Sequence, residues 1–193
     1  MRRLCVFCGS SCGSDRRYRA AAVSVGELLA ARGIGLVFGG GSIGLMGVVA
    51  DAALGAGGDV VGVIPHALAA RELAHREVAD MRVVPSMHAR KALMAELSDG
   101  FIALPGGLGT FEELFEIATW SQLGIHRKPV GVLNVAGYYD ALTVLLDQAV
   151  QAGFVTAENR RLIAVEETPV ALLEKLAAYR PPEGPEWITP DEA

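Results

Sequence analysis

The stretch "GFIALPGGLGTFEELFE", residues 100–116, runs from an apolar segment through three closely spaced glycines into a helical pattern that carries three glutamates. "GFIALP" reads as a buried strand, because a continuous apolar run without alternation suits a sheet covered on both faces. Gly106, Gly107 and Gly109 bare the backbone directly after it, so N–H groups can point into the space above the strand end. The following helix adds its own orphan N–H groups and the positive end of its dipole. Such a junction suits a phosphate, yet Glu112, Glu113 and Glu116 would repel one. Thr110 and Glu113 also spell T-x-x-E, the pattern of a capping box, in which both side chains serve only the helix start.

The same strand, loop and helix unit repeats outward from this stretch. "LCVFCG", "GIGLVFG", "DVVGVI", "MRVV", "KPVGVLN" and "RLIAVEE" are further short apolar runs, and helical patterns fall at about 15–32, 43–57, 66–74, 87–98, 110–123, 138–152 and 168–179. Alternation of this kind implies right-handed crossovers and an α/β fold. The expected architecture is a Rossmann-like, open and mainly parallel sheet of about seven strands, flanked by helices on both faces. Residues 1–180 read as a single domain. The acidic, proline-rich tail 181–193, with Trp187 in it, reads as a flexible extension.

A chain of 193 residues that is 51% hydrophobic can bury a substantial core. Its formal net charge of −5 leaves no basic footprint for nucleic acid or an anionic membrane. No apolar run reaches membrane-spanning length and the N-terminus lacks a signal-peptide core, so a cytoplasmic protein is expected. Cys5, Cys8 and Cys12 are an odd, crowded set that reads as reduced thiols; the spacing C-x2-C-x3-C has no second cluster or suitably spaced histidine to complete a metal site.

Two other loops leave predicted strands for predicted helices. "CGSSCGSD", residues 8–15, offers small residues, with Gly9 and Ser10 as candidate nucleotide contacts and Ser14 or Asp15 as a helix cap. "GGGSIGLMG", residues 39–47, matches G-x-G-x-x-G through Gly39, Gly41 and Gly44, and Gly40 and Gly41 are candidate nucleotide contacts. The dinucleotide reading fails at the next strand, which ends in Pro65 and His66 where a ribose-binding acid belongs. No phosphate-binding G-x-x-x-x-G-K-[ST] is present either. Cations come from "SMHARKALMAELSD", residues 86–99, whose Arg90 and Lys91 start a helix at the same sheet edge as the glycines. Met87 and Met94 on the same helix read as packing residues, or one of them as a contact to a base.

The pairing of "SMHARK" at 86–91 with "PGGLGTFEE" at 105–113 resembles the LOG ("Lonely guy") family of cytokinin riboside 5′-monophosphate phosphoribohydrolases. The family pattern P-G-G-x-G-T-x-x-E is met by Pro105, Gly106, Gly107, Gly109, Thr110 and Glu113, and the likeness runs from "CVFCGSS" through "GYYD" to about residue 180. The resemblance implies hydrolysis of the N-glycosidic bond of an adenine-type nucleoside 5′-monophosphate, without a metal or redox cofactor, by a homodimer. It implies Arg90 and Glu113 as the catalytic pair. Glu72, Arg90, Lys91, Gly106, Gly107, Leu108, Gly109, Thr110, Phe111, Glu112, Glu113 and Thr119 would then line the nucleotide site. On this reading the glycines hold the phosphate and a glutamate faces the sugar, where positive charge develops.

Two other classes compete. A lysine decarboxylase needs pyridoxal phosphate on a lysine, and only Lys91, Lys128 and Lys175 are present, with no acid assignable to the pyridinium. A non-catalytic nucleotide-binding module would have little use for Glu113 beside Arg90.

Overall fold

The computed structural model describes residues 1–71 and 74–181. Glu72, and the tail from residue 182 with Trp187, lie outside the described residues. Among the described residues seven strands occur: β1 (Arg3–Phe7), β2 (Gly35–Phe38), β3 (Val60–Pro65), β4 (Asp80–Val84), β5 (Phe101–Ala103), β6 (Val130–Leu133) and β7 (Ile163–Glu166). They form one sheet in the order β4-β3-β2-β1-β5-β6-β7, and every neighbouring pair is parallel. The expected Rossmann-like class is borne out.

Successive strand residues point to opposite faces, and both faces are covered. Leu4, Val6, Leu36, Phe38 and Ile102 pack with Val25 and Leu29 of α1 (Arg16–Ala31), Leu45 and Val49 of α2 (Gly44–Gly55), and Leu172 and Leu176 of α8 (Pro169–Ala177). On the other face Phe7, Val37, Val63, Phe101 and Val132 pack with Met94 of α4 (Met87–Leu97) and Leu114 and Ile117 of α5 (Leu108–Gln122). Burial from both sides explains why the strands are continuously apolar. The remaining helices are α3 (His66–Ala69), α6 (Asp140–Gln151) and the short α7 (Ala157–Arg160).

The chain steps from β1 outward to β4, then returns to β5 on the far side of β1. The loops after β1 and β5 therefore diverge, and a crevice opens beyond the strand ends at this switch point. Helix boundaries differ from the sequence expectation where tertiary contacts intervene. α3 ends at Ala69 instead of about residue 74, because Ala74 forms a bridge with Gly41 and the chain there is extended. α6 starts only after a 3-10 turn, Val135–Gly137, in which Ala136 takes a positive φ of 56°.

Candidate active site

α5 begins at Leu108, with Gly107 as its N-cap and no side-chain cap. The capping-box alternative at Thr110 and Glu113 therefore fails: both residues lie inside the helix, at its third and sixth positions. Thr110, Glu113, Leu114 and Ile117 form the buried stripe of α5, the i, i+3, i+4, i+7 spacing of a core-facing surface. A carboxylate has been placed where a hydrophobe would ordinarily sit. Glu112 and Glu116 fall on the flank of that stripe.

The crevice at the switch point is a cleft of about 390 Å³. Cys8, Gly9 and Ser10 of the first loop, Gly39, Gly41, Ile43 and Met46 of the second, and Ile64 and Leu68 beside β3 form part of it. Arg90 and Met94 of α4 and Gly107, Leu108, Gly109, Thr110 and Glu113 complete it. Nothing lies within 4 Å of where a side chain on Gly107 or Gly109 would project, so these two glycines face open space. Gly106 has the opposite surroundings: a Cβ there would meet the Thr110 hydroxyl at 2.1 Å and the Gly9 nitrogen at 2.8 Å. The glycine loop is pinned from behind, since the Tyr138 hydroxyl donates to the Gly106 carbonyl and Tyr139 donates to the Leu104 carbonyl at 2.7 Å.

Arg90 and Glu113 meet across the cleft floor, with Nη1 3.4 Å from Oε1 and both side chains 9% exposed. Arg90 is steadied by an Nε–H donated to the Val63 carbonyl at 3.2 Å. Burial pushes the Glu113 carboxyl up to about 7, against the opposing pull of Arg90. Desolvation wins because the ion pair is a single contact at 3.4 Å, whereas the whole carboxylate is withdrawn from water. Glu113 is therefore poised to exchange a proton near neutrality. Below it, burial and the Glu113 charge push the Cys8 thiol above its ordinary range.

Lys91 does not join the cleft. Its Nζ bonds Glu112 and, at 2.8 Å, Glu116, which ties α4 to α5 beside the Arg90–Glu113 pair. Burial pulls its pKa down, but the two carboxylates more than reverse this and hold the ammonium above its ordinary value. Glu112 is consequently a surface partner of Lys91. Thr119 is exposed two turns beyond Glu113 and donates to the Phe115 carbonyl at 2.7 Å. Phe111 stacks on Tyr138 with ring centroids 6.4 Å apart. Met87 is exposed at the start of α4, and Gly40 is occupied by accepting the His75 N–H at 2.9 Å. Neither lines the cleft.

Sequence reasoning missed the apolar wall of Ile43, Met46, Ile64 and Leu68, whose convergence depends on how the start of α2, the end of β3 and α3 come together. Of the two methionines that the sequence offered, Met94 lines the cleft, since it lies one turn after Arg90 on the same face of α4. Among the described residues no group of three or more His, Cys, Asp or Glu is placed to hold a metal ion.

A family model described as "possible lysine decarboxylase" matches residues 46–176. A probable cytokinin riboside 5′-monophosphate phosphoribohydrolase of Oryza sativa subsp. japonica is 56% identical over 94% of this chain and 74% of its own length. A cytokinin riboside 5′-monophosphate phosphoribohydrolase of Arabidopsis thaliana is 53% identical over 93% of this chain and 84% of its own. The chain belongs to the LOG family. Among solved structures, a molybdenum cofactor binding protein from the phototrophic bacterium Rippkaea orientalis superimposes with a TM-score of 0.69 over 92% of this chain and 96% of that one. At 22% identity that likeness shows the fold alone. The LOG-family pattern, residues 105–113, forms the cleft's glycine rim and ends on its buried carboxylate.

Proposed function

We propose that the protein hydrolyses the N-glycosidic bond of cytokinin riboside 5′-monophosphates, and of AMP, to a free base and ribose 5-phosphate. The observation that carries this reading is Glu113, a buried carboxyl with a pKa of about 7 that opens onto a cleft rimmed by unobstructed glycines. The relatives' names supply the substrate class. The phosphate sits on Gly107, Gly109 and the N-terminus of α5. The ribose then lies over Glu113.

Cleavage of the C1′–N9 bond sends its electron pair to the base and leaves positive charge shared by C1′ and O4′. Ionised Glu113 stabilises that charge and takes a proton from the water that attacks C1′. The departing base gains a proton from solvent, and Glu113 returns its own, so one water is consumed per bond broken. Arg90 orients Glu113 and offsets substrate charge. The apolar wall of Ile43, Met46, Ile64 and Leu68 takes the base and its N6 substituent.

A Schiff-base decarboxylase is disfavoured by where the lysines stand. Lys91 is engaged by two glutamates, Lys128 donates to the Ala95 carbonyl at 2.7 Å and Lys175 pairs with Glu166 at 2.6 Å. None of the three lines the cleft. The same reading includes a homodimer, supported by the apolar Met87, Leu108 and Phe115 exposed on α4 and α5. It also includes a cytoplasmic setting, supported by the free thiols of Cys5, Cys8 and Cys12. No helix among the described residues is long and apolar enough to cross a membrane.

The test is chromatographic detection of base released from N6-isopentenyladenosine monophosphate, AMP and the two dephosphorylated nucleosides, with Glu113→Gln alongside. Release from the monophosphates alone, lost in the variant, is expected. Binding of nucleotide without release would make the protein a nucleotide-binding module.

A further inference from the structure

The first glycine of the β2–α2 loop is not a glycine for conformational reasons. Gly40 and Gly44 take positive φ values of 73° and 62°, whereas Gly39 does not. Its backbone is open to any residue; its space is not. A Cβ on Gly39 would fall 1.8 Å from Arg90 Nη2, 2.9 Å from Arg90 Cζ and 3.3 Å from Met46 Sδ. We propose that Gly39 is a positioning residue for the hydrolysis, and that its missing side chain is the seat in which the Arg90 guanidinium lies against Glu113. The inference rests on the hydrolase reading above for its catalytic consequence, and on the packing alone for the seat.

The backbone is the part that cannot yield. Gly39 directly follows Phe38, which pairs with Val6 on one side and Gly62 on the other. Its next neighbour Gly40 is tied by the His75 N–H at 2.9 Å. Gly40 is also wedged against β3, where a Cβ on it would stand 3.0 Å from Ile64 Cβ. Opposite this anchored segment is the far end of a flexible side chain. A methyl group on Gly39 therefore displaces the guanidinium, and the displacement breaks both bonds that aim it, to Val63 at 3.2 Å and to Glu113 at 3.4 Å. A misplacement of about 1 Å in a catalytic constellation can cost on the order of 100-fold in rate. Folding, in contrast, changes little, since the arginine can swing toward the open cleft.

The experiment compares wild type, Gly39→Ala, Arg90→Ala and the double variant. It measures base release from N6-isopentenyladenosine monophosphate across pH, thermal unfolding, and the Glu113 carboxyl titration by carbon-detected NMR. Gly39→Ala is expected to melt within about 3 °C of wild type and to lose roughly 30- to 100-fold in kcat/KM. Its Glu113 titration should move upward, because Arg90 no longer opposes the effect of burial. The double variant should match Arg90→Ala in rate and titration, since the seat has no occupant left to displace. Wild-type kcat/KM in Gly39→Ala, an unchanged Glu113 titration, or a loss that adds in full to that of Arg90→Ala overturns the proposal. If Gly39→Ala fails to fold while the double variant folds, the conflict lies with Arg90 and the seat stands; failure of both places the requirement elsewhere and refutes it. Absence of base release by wild type sinks the hydrolase reading, and the NMR titration then still decides the seat.

Discussion

Glu113→Gln should make this protein more stable and nearly inactive, and the stability gain should depend on pH. The Glu113 carboxyl is raised from 4.5 to about 7 by burial. At about 1.4 kcal/mol for each pKa step, holding it ionised costs the fold about 3 kcal/mol. The sign follows from proton counting: between the two values the folded state binds more protons than the unfolded one, so stability falls as pH rises. The cost is absent below about 4.5, where both states are protonated, and complete above about 7. Glutamine has the same shape and never ionises. Arg90 retains its bond to the Val63 carbonyl in the variant, so it is not stranded. The gain at pH 8 should approach 3 kcal/mol, a figure already net of the Arg90 attraction, which for a chain of this size is roughly 6–12 °C in Tm. At pH 5, just above the unfolded-state value, the gain should shrink to about 1 kcal/mol or less. Activity should fall by about 10² to 10⁴ at pH 8 and by much less at pH 5, where Glu113 of the wild type is itself protonated. Thermal unfolding by circular dichroism at the two pH values, with base release in parallel, provides the check. An equal stability change at pH 5 and pH 8 would refute a carboxyl held against its own solvation, and near wild-type turnover would refute its place in the chemistry.

Other consequences follow from the same geometry. In the free enzyme kcat/KM should rise with pH through an inflection near 7, as Glu113 becomes the base, and a flat profile from about 5.5 to 8.5 would contradict that role. Lys91→Met should cost about 2 kcal/mol by breaking the tie between α4 and α5, with a smaller effect on rate than Glu113→Gln; denaturant unfolding against base release separates the two. Gly106→Ala should unfold at a markedly lower temperature, because its Cβ meets Thr110 at 2.1 Å, whereas Gly107→Ala should melt like wild type and raise KM by intruding on the phosphate. Reversal of that pattern would mean that the rim glycines serve folding and the inner one serves the ligand.

The α/β class was legible because its signals are local. Apolar runs, glycine at strand ends and helical periods are written into short windows, and burial on both faces leaves no alternation to confuse them. The helix cap at Asp15 was legible for the same reason, since its carboxylate accepts the Arg17 N–H only two residues on. Thr110 and Glu113 show where such reasoning stops. T-x-x-E is a valid local answer, but Gly107 can begin the helix earlier, and one extra turn carries Glu113 from the helix start onto the buried stripe. Lys91 shows the same limit: beside Arg90 in sequence, it projects toward a different neighbour, because adjacent helix positions diverge by about 100°.

The sequence by itself determined a parallel sheet with its ligand loops at one edge, and it named Arg90 and Glu113 through the family pattern. Tertiary structure decided what those residues are. Only the order of strands, with β5 returning beside β1, brings α4, α5 and the β2–α2 loop around one cleft. Only packing removes water from Glu113 and lifts its pKa to about 7. The absence of a single methyl group at Gly39 leaves room for the guanidinium that faces it. Desolvation and close contact are properties of groups far apart in the chain, so no window of sequence contains them.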